Sequence, residues 1–414
     1  MQPRYPMNPK SLLATGAALL VCVCCVNAQD WPQWRGMDRD GRATTFKTPE
    51  KWPDQLVRKW KTPVGKGDTS PALVGKRLFT FGRVGTNEWV QCLDVSSGKM
   101  LWDQTYAEPY VVEGPSVGHP GPRSSVCASR KRVFTMGIAG VLSCLDLKTG
   151  KLLWRKQSMD DYDGTPYRSD TSISPLLTDD LCIVHVGADG KGAVLAFEEA
   201  TGKIRWKTDL IPSISSSPVV AVFGGKRQVV SISVDSLFGL DLKDGKMLWH
   251  SKFQANRGNC TTPVIEGDRV LVTGEQRGLI CFKVDSANGS FRATPIWTNM
   301  ALVSRMTTPI VRNGLVFGFG THFFCGEVET GKTLWIAKEG VPSGYYGCLV
   351  DCGKEILGQT LKGDLVFFGP SKSQYGELAR YKVTDTELWA LPVVSGKRIF
   401  TRDADSVSLW TFEQ

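Results

Sequence analysis

Apolar and polar residues alternate along most of this chain in short runs, and each run ends at a small polar turn. Val141-Leu142-Ser143-Cys144-Leu145 leads to Asp146, Thr149-Gly150-Lys151 turns the chain, and Leu152-Leu153-Trp154 follows. Alternation with a period of two predicts a strand rather than a helix. The glycine suits a tight hairpin that needs positive φ, and the returning strand ends in an indole. The unit recurs. Asp94 leads to Gly98, Lys99 and Trp102; Glu198 to Gly202, Lys203 and Trp206; Asp241 to Gly245, Lys246 and Trp249; Glu327 to Gly331, Lys332 and Trp335. In all five copies the acid lies eight residues and the glycine four residues before the Trp. Asp285, Gly289 and Trp297 make a looser copy with an insertion. A motif in fixed register at intervals of tens of residues marks a repeat architecture.

A second signal marks the start of each innermost strand. Ser70-Pro71, Ser174-Pro175, Ser217-Pro218, Thr262-Pro263 and Thr308-Pro309 each precede apolar residues and a Gly/Asp/Lys turn, with Ser124-Ser125, Gly347-Cys348 and Leu391-Pro392 as divergent versions. Proline opening a strand removes no ladder bond. Eight such starts, with sheet ends at Trp60, Trp102, Trp154, Trp206, Trp249, Trp297, Trp335 and the degenerate Tyr381, predict an all-β, eight-bladed β-propeller of four-stranded antiparallel blades. The seventh unit, about 336–381, carries the weakest signal, and seven blades is the alternative. Residues 56–60 look like an outer strand whose front half lies at 389–412, so the two are expected to share one sheet and close the ring. The seven Trp side chains are expected to wedge between adjacent sheets.

Ahead of the propeller domain (52–414) lie two other segments. Residues 1–28 read as a secretory signal: Arg4 and Lys10 precede an apolar run from Leu12 to Val26, and Val26-Asn27-Ala28 offers a cleavage site before Gln29. No Cys there follows the pattern that lipid anchoring needs. Residues 29–51 form an arm with a Trp31-Pro32-Gln33-Trp34-Arg35-Gly36 cluster, expected against the outside or one end of the ring.

Charge and chemistry change this picture little. The 50 Lys and Arg outnumber the 41 Asp and Glu, but they are scattered, so no nucleic-acid partner is expected. Nine cysteines follow the leader, an odd count. Cys92, Cys144 and Cys325 stand ten residues before their Trp, where other copies have Ala196 and Gly239, so the slot wants a small side chain. Cys348 and Cys352 could form a disulfide or a metal pair, although no second pair or His stands at ligand spacing. Asp160-Asp161-Tyr162-Asp163-Gly164 reads as a solvated turn lacking the spacing of a calcium loop. His119, His185, His250 and His322 share no spacing, and no metal site is expected. Four cations near strand starts, Arg123, Arg168, Arg257 and Arg305, would converge on the axial funnel and could bind an acidic ligand. Tyr110, Tyr162, Tyr167, Tyr345 and Tyr346 offer aromatic anchors on the same loop face.

The Asp/Glu-x-x-Thr-Gly-Lys-x-x-Trp copies with preceding Ser-Pro strands resemble the quinoprotein-like (PQQ-type) β-propeller repeat superfamily over about residues 52–414. That superfamily holds alcohol and glucose dehydrogenases using pyrroloquinoline quinone (PQQ) with calcium. It also holds non-catalytic members such as the outer-membrane β-barrel assembly factor. The dehydrogenases' vicinal cysteine pair is absent after the leader, since only Cys24 and Cys25 are adjacent. No catalytic residue and no cofactor therefore carry over. The resemblance implies an exported, monomeric, non-catalytic scaffold in the periplasm or beyond, binding an envelope protein and having no transmembrane span once the signal is removed. A PQQ-dependent oxidoreductase of alcohols or sugars and a carbohydrate-binding propeller are the alternatives.

Overall fold

A computed structural model describes residues 30–113, 117–157, 171–188, 191–209, 211–254, 261–304, 306–337 and 344–413. The segment 1–28, expected to be a signal, the acidic turn 160–164 and Cys260 lie outside them. The described strands form eight four-stranded antiparallel sheets, the eight blades of a propeller, and the seven-bladed alternative falls away. Blade 1 comprises Ala72–Val74, Arg77–Val84, Asn87–Asp94 and Met100–Ala107, hydrogen-bonded in that order. Blades 2 to 7 repeat this over 127–157, 176–209, 219–252, 264–299, 310–336 and 347–382. Blade 8 takes its inner three strands from Val393–Ser395, Arg398–Arg402 and Ser406–Thr411 and its outer strand from Val57–Pro63. Val57 lies opposite Thr411 and Pro63 opposite Ser406, so the expected splice of the two ends is present.

Each motif residue has a local task. The acid folds its own turn: Asp146 Oδ1 accepts from Lys148 N at 3.0 Å and Thr149 N at 2.8 Å, and Gly150 N donates to Asp146 O at 2.9 Å. Such bonds to the ionised form lower carboxyl pKa values, and the Ser96 and Ser97 bonds hold Asp94 at about 2. The small slot residue sits directly across from the Trp, as Cys92 does from Trp102, Ala196 from Trp206 and Cys325 from Trp335. Immediately before the Trp the outer strand bulges by one residue, which in blade 1 is Leu101. The bulge re-aims the indole toward the neighbouring sheet.

There the indole meets the next blade's turn. Trp102 Nε1 donates to Leu147 O at 3.1 Å, Trp154 to Glu199 O at 3.0 Å, Trp206 to Leu242 O at 3.0 Å and Trp297 to Val328 O at 2.9 Å. Trp60 closes the ring in the same way, on Val95 O at 3.0 Å. Each acceptor is the carbonyl one residue after the motif acid. The motif glycine of that same turn lies flat under the indole: a Cβ on Gly150 would stand 2.5 Å from Trp102, and one on Gly202 2.7 Å from Trp154. The glycine thus meets two demands at once, positive φ and room for a ring.

Two seams differ. Trp335 bonds Ser371 O at 2.9 Å, since blade 7 has no Thr-Gly-Lys turn. Trp249 bonds Gln228 Oε1 of its own blade at 2.6 Å. Blade 5 explains the second case. Its outer hairpin, Gly278–Ala287 and Ser290–Asn299, is lengthened, so Gly289 has nothing within 4 Å of its would-be Cβ and the blade 4–5 seam lacks the glycine-under-indole contact.

The arm lies across the end of the ring where the first two strands of each blade turn, and from there it enters the axis. Trp31 pairs with Leu73 of blade 1, and Pro32 O accepts from Ala128 N of blade 2 at 2.7 Å. Gln33 Oε1 accepts from Leu177 N of blade 3 at 3.0 Å, and Ala43 N donates to Asp351 O of blade 7 at 2.8 Å. Lys47 N reaches Gly396 O of blade 8 at 3.1 Å. All of these partners belong to innermost strands or their turns.

A buried carboxyl marks the blade 1–2 seam. Glu88 accepts from Tyr106 Oη and from Ile138 N at 2.8 Å, and Arg155 lies over the Tyr106 ring at 3.9 Å. Burial raises Glu88 to about 7, against the bonds it accepts.

Two outcomes follow from these seams. Gly150→Val should lower stability by about 2–4 kcal/mol, since it combines positive-φ strain with a clash on Trp102, whereas Gly289→Ala, with open space around it, should lose only about 1 kcal/mol. Urea midpoints of the two variants measure the difference. A folded-state pKa raised above the ordinary 4.5 means that the protonated Glu88 favours the fold. Its contribution is full at low pH and falls as pH rises from about 4.5 through about 7, by roughly 3 kcal/mol. Glu88→Gln should flatten the wild-type decline in that window, as thermal midpoints at pH 5 and pH 8 would register.

Candidate functional site: the ring axis and the loop face at the strand starts

The Ser/Thr-Pro steps do more than open strands. Ser70 N donates to Ser125 Oγ at 3.2 Å, Ser125 N to Ser174 Oγ at 3.0 Å, and Ser174 N to Ser217 Oγ at 3.0 Å. Thr262 N donates to Thr308 Oγ1 at 3.0 Å in the same register. The residue before contributes as well: Ser124 Oγ donates to Ile173 O at 2.8 Å, Ser216 Oγ to Thr261 O at 2.7 Å, and Thr307 Oγ1 to Gly347 O at 2.7 Å. Neighbouring blades are therefore stitched together around the axis by buried hydroxyls. Ser124-Ser125, divergent as a motif, does the same work. The signal was a hydroxyl at one register position in most units, and its bonding to the next blade went unread.

Three arm residues reach this hydroxyl girdle from below. Trp34 Nε1 donates to Thr262 Oγ1 at 3.0 Å. Arg35 is buried and donates to the carbonyls of Arg39 at 3.1 Å, Asp40 at 3.1 Å, Thr308 at 3.1 Å and Pro309 at 2.8 Å. Arg39, also buried, donates through Nη2 to Ser174 O at 3.0 Å. Burial lowers both guanidinium pKa values to about 10, so both stay charged at neutral pH. The sequence places Arg35 in the arm's aromatic cluster but gives neither it nor Arg39 a role on the axis.

The four cations it did mark are differently placed. Arg168, Arg257 and Arg305 lie outside the described residues. Arg123 is half-buried and donates to His119 O at 2.8 Å within its own loop. That loop joins a cluster on the face where the strands start. His119 Nδ1 lies 3.0 Å from Asp68 Oδ2, a bond that raises the imidazole pKa despite partial burial. The His119 ring meets Trp389 edge-on at 5.1 Å between centroids, and Tyr346 stacks on the same indole at 4.7 Å. Tyr346 is buried, with its Oη on Trp389 O and on Cys348 Sγ. Tyr345 lies on Trp389 from another side at 5.9 Å and is 44 % exposed. Of the remaining anchors, Tyr110 is half-buried, and Tyr162 and Tyr167 lie outside the described residues. The cluster offers one aromatic platform with an acid, an imidazole and a guanidinium beside it, drawn from four loops.

Cys348 and Cys352 are unpaired buried thiols, as are Cys92, Cys127, Cys144, Cys182, Cys281 and Cys325. Burial pushes the Cys348 thiol up to about 12, far from a thiolate. Among the described residues no group of three or more His, Cys, Asp or Glu could hold a metal ion. Trp34, Arg35 and Arg39 bond the innermost strands from the arm's side of the axis. No helix among the described residues is long and apolar enough to cross a membrane.

Comparison with known proteins agrees with this geometry. A chain of Burkholderia pseudomallei named outer membrane protein assembly factor BamB is 23 % identical over 412 residues, covering 95 % of each chain. The structure of BamB from Moraxella catarrhalis superposes with a TM-score of 0.62 at 17 % identity, over 87 % of this chain and 98 % of that one. Quinohemoprotein alcohol dehydrogenase from Comamonas testosteroni superposes with a TM-score of 0.65 at 13 % identity, over 92 % and 80 %. At such identities the two structures establish the shared fold alone. The family model described as outer membrane protein assembly factor BamB matches residues 86–337, and the chain belongs to that family.

Proposed function

We propose that this protein is an exported, non-catalytic propeller that serves as a protein-binding assembly platform in the cell envelope. The match of residues 86–337 to the assembly-factor family carries this reading. The geometry supports it. The ring is held rigid by indole seams and a hydroxyl girdle, and its axis is occupied on one side by its own arm. The loop face carries a platform of Trp389 and Tyr345 flanked by Asp68, His119 and Arg123, with Val117 exposed on the same loop as His119. Half-exposed aromatic side chains held by packed neighbours are the kind of residue that dominates protein recognition. The partner is an envelope protein, and the chain acts as a monomer.

A photo-crosslinking residue placed at Tyr345 should give a discrete adduct with a component of the outer-membrane β-barrel assembly machinery in native envelopes. The same residue at Lys156, on the outer strand of blade 2, should not. Trp389→Ala should reduce the Tyr345 adduct by about tenfold while leaving the thermal midpoint within a few degrees. Adducts of equal yield at both positions, or none at Tyr345, would sink the proposal. So would stoichiometric binding of PQQ and calcium accompanied by dye reduction with alcohols or sugars.

A further inference from the structure

The arm brings two guanidinium groups together on the axis, and only one is fully used. Arg35 has four carbonyl acceptors. Arg39 has one, Ser174 O, while its Nε and Nη1 have no partner although the residue is only 2 % exposed. Compensating charge is missing as well. The groups that act on Arg39 electrostatically are the thiols of Cys127 and Cys182, and burial keeps both protonated. Neither flanking acid compensates it: Asp38 interacts with Asp40 and Arg42, and Asp40 is turned to Arg42, accepting from its N at 3.0 Å and lying 3.5 Å from its Nε. A buried cation with N–H groups left without acceptors is strongly disfavoured, and native interiors satisfy nearly all such groups.

We propose that Arg39 anchors an internal site for a small inorganic anion on the ring axis, enclosed between the arm and the innermost strands of blades 2 and 3. The anion supplies the negative charge that the surrounding side chains lack and accepts from the idle face of the guanidinium. It is a structural ligand that fixes the arm in the ring, independent of the loop face and of any partner bound there. Chloride and phosphate share the required chemistry and differ in size and hydrogen-bonding capacity.

The test uses the full chain exchanged into gluconate, an anion too large for an enclosed site, at constant ionic strength. Replacing gluconate with chloride, bromide or phosphate should raise the thermal midpoint saturably, by about 2 °C or more. The halides acting without phosphate would indicate a tight spherical site, and phosphate acting more strongly an oxoanion site. Arg39→Gln should abolish the anion dependence, and Arg39→Lys should retain part of it. Crystals grown in bromide should show an anomalous peak within about 3.5 Å of the Arg39 guanidinium, a readout that does not depend on any variant folding. Equal midpoints in gluconate and in every small anion, an anion response preserved in Arg39→Gln, or water alone at Nε and Nη1 in the bromide crystals would each overturn the proposal.

Discussion

The structure depends on one repeated contact: an indole at the outer edge of one sheet laid on a glycine of the next, with its N–H on the neighbouring carbonyl. A four-stranded blade is too small to bury a Trp by itself, and an indole left in water would forfeit roughly 3–5 kcal/mol. Each blade therefore takes its stability from the one beside it, as in other repeat proteins where nearest-neighbour interfaces carry the energy. Glycine is required at the receiving turn for two reasons that coincide, and the bulge before the Trp is what turns the ring toward it. At the axis a second set of contacts, hydroxyl to main chain, holds the inner strands in register. The blades are thus tied at both radii. The seam between blades 4 and 5 lacks the outer tie, because the lengthened hairpin of blade 5 carries Gly289 away from Trp249, and the seam between blades 7 and 8 has no indole to make one.

How much of this was legible in the sequence depends on the range of the interaction. Blade number, strand order and the shared last sheet follow from signals within ten residues of each other, the acid-to-Trp spacing and the Ser/Thr-Pro step, and the structure agrees with them. In blade 7 the residue after the bulge, where the other blades have Trp, is Ala379 opposite Phe367, and the expected marker Tyr381 lies two residues further along the strand; the faint seventh unit was countable from its position between its neighbours, not from that residue. The bulge was invisible because the residue before the Trp looks like any strand residue. The rerouting of Trp249 was hidden because its cause lies in the following blade. The arm's insertion into the axis could not be read at all: Arg35 and Arg39 bond carbonyls at Thr308, Pro309 and Ser174, more than a hundred residues away, and carbonyls leave no trace in a sequence.

The arm also changes what the axis can do. In a ring open from end to end, the inner strands line a wet channel. Here two charged side chains close one end and point their donors at the girdle, which converts channel wall into buried interior. The loop face brings side chains from separate loops together on Trp389. Its aromatic platform is built like a small core turned outward, with Tyr346 buried beneath Trp389 and Tyr345 left partly in solvent. Such support from below holds an aromatic ring in one orientation, and rigid rings lose little entropy when a partner covers them.

The last sheet pairs residues 57–63 with 406–411, segments separated by nearly the whole chain. Until the later of the two has emerged, blade 8 cannot exist, Trp60 has no sheet to carry it against blade 1, and an unpaired strand edge stays open. The toroid is therefore assembled vectorially but sealed in a single late event. During synthesis the chain is an open arc with exposed edges, and it becomes a closed rigid body only once its last strand is in place.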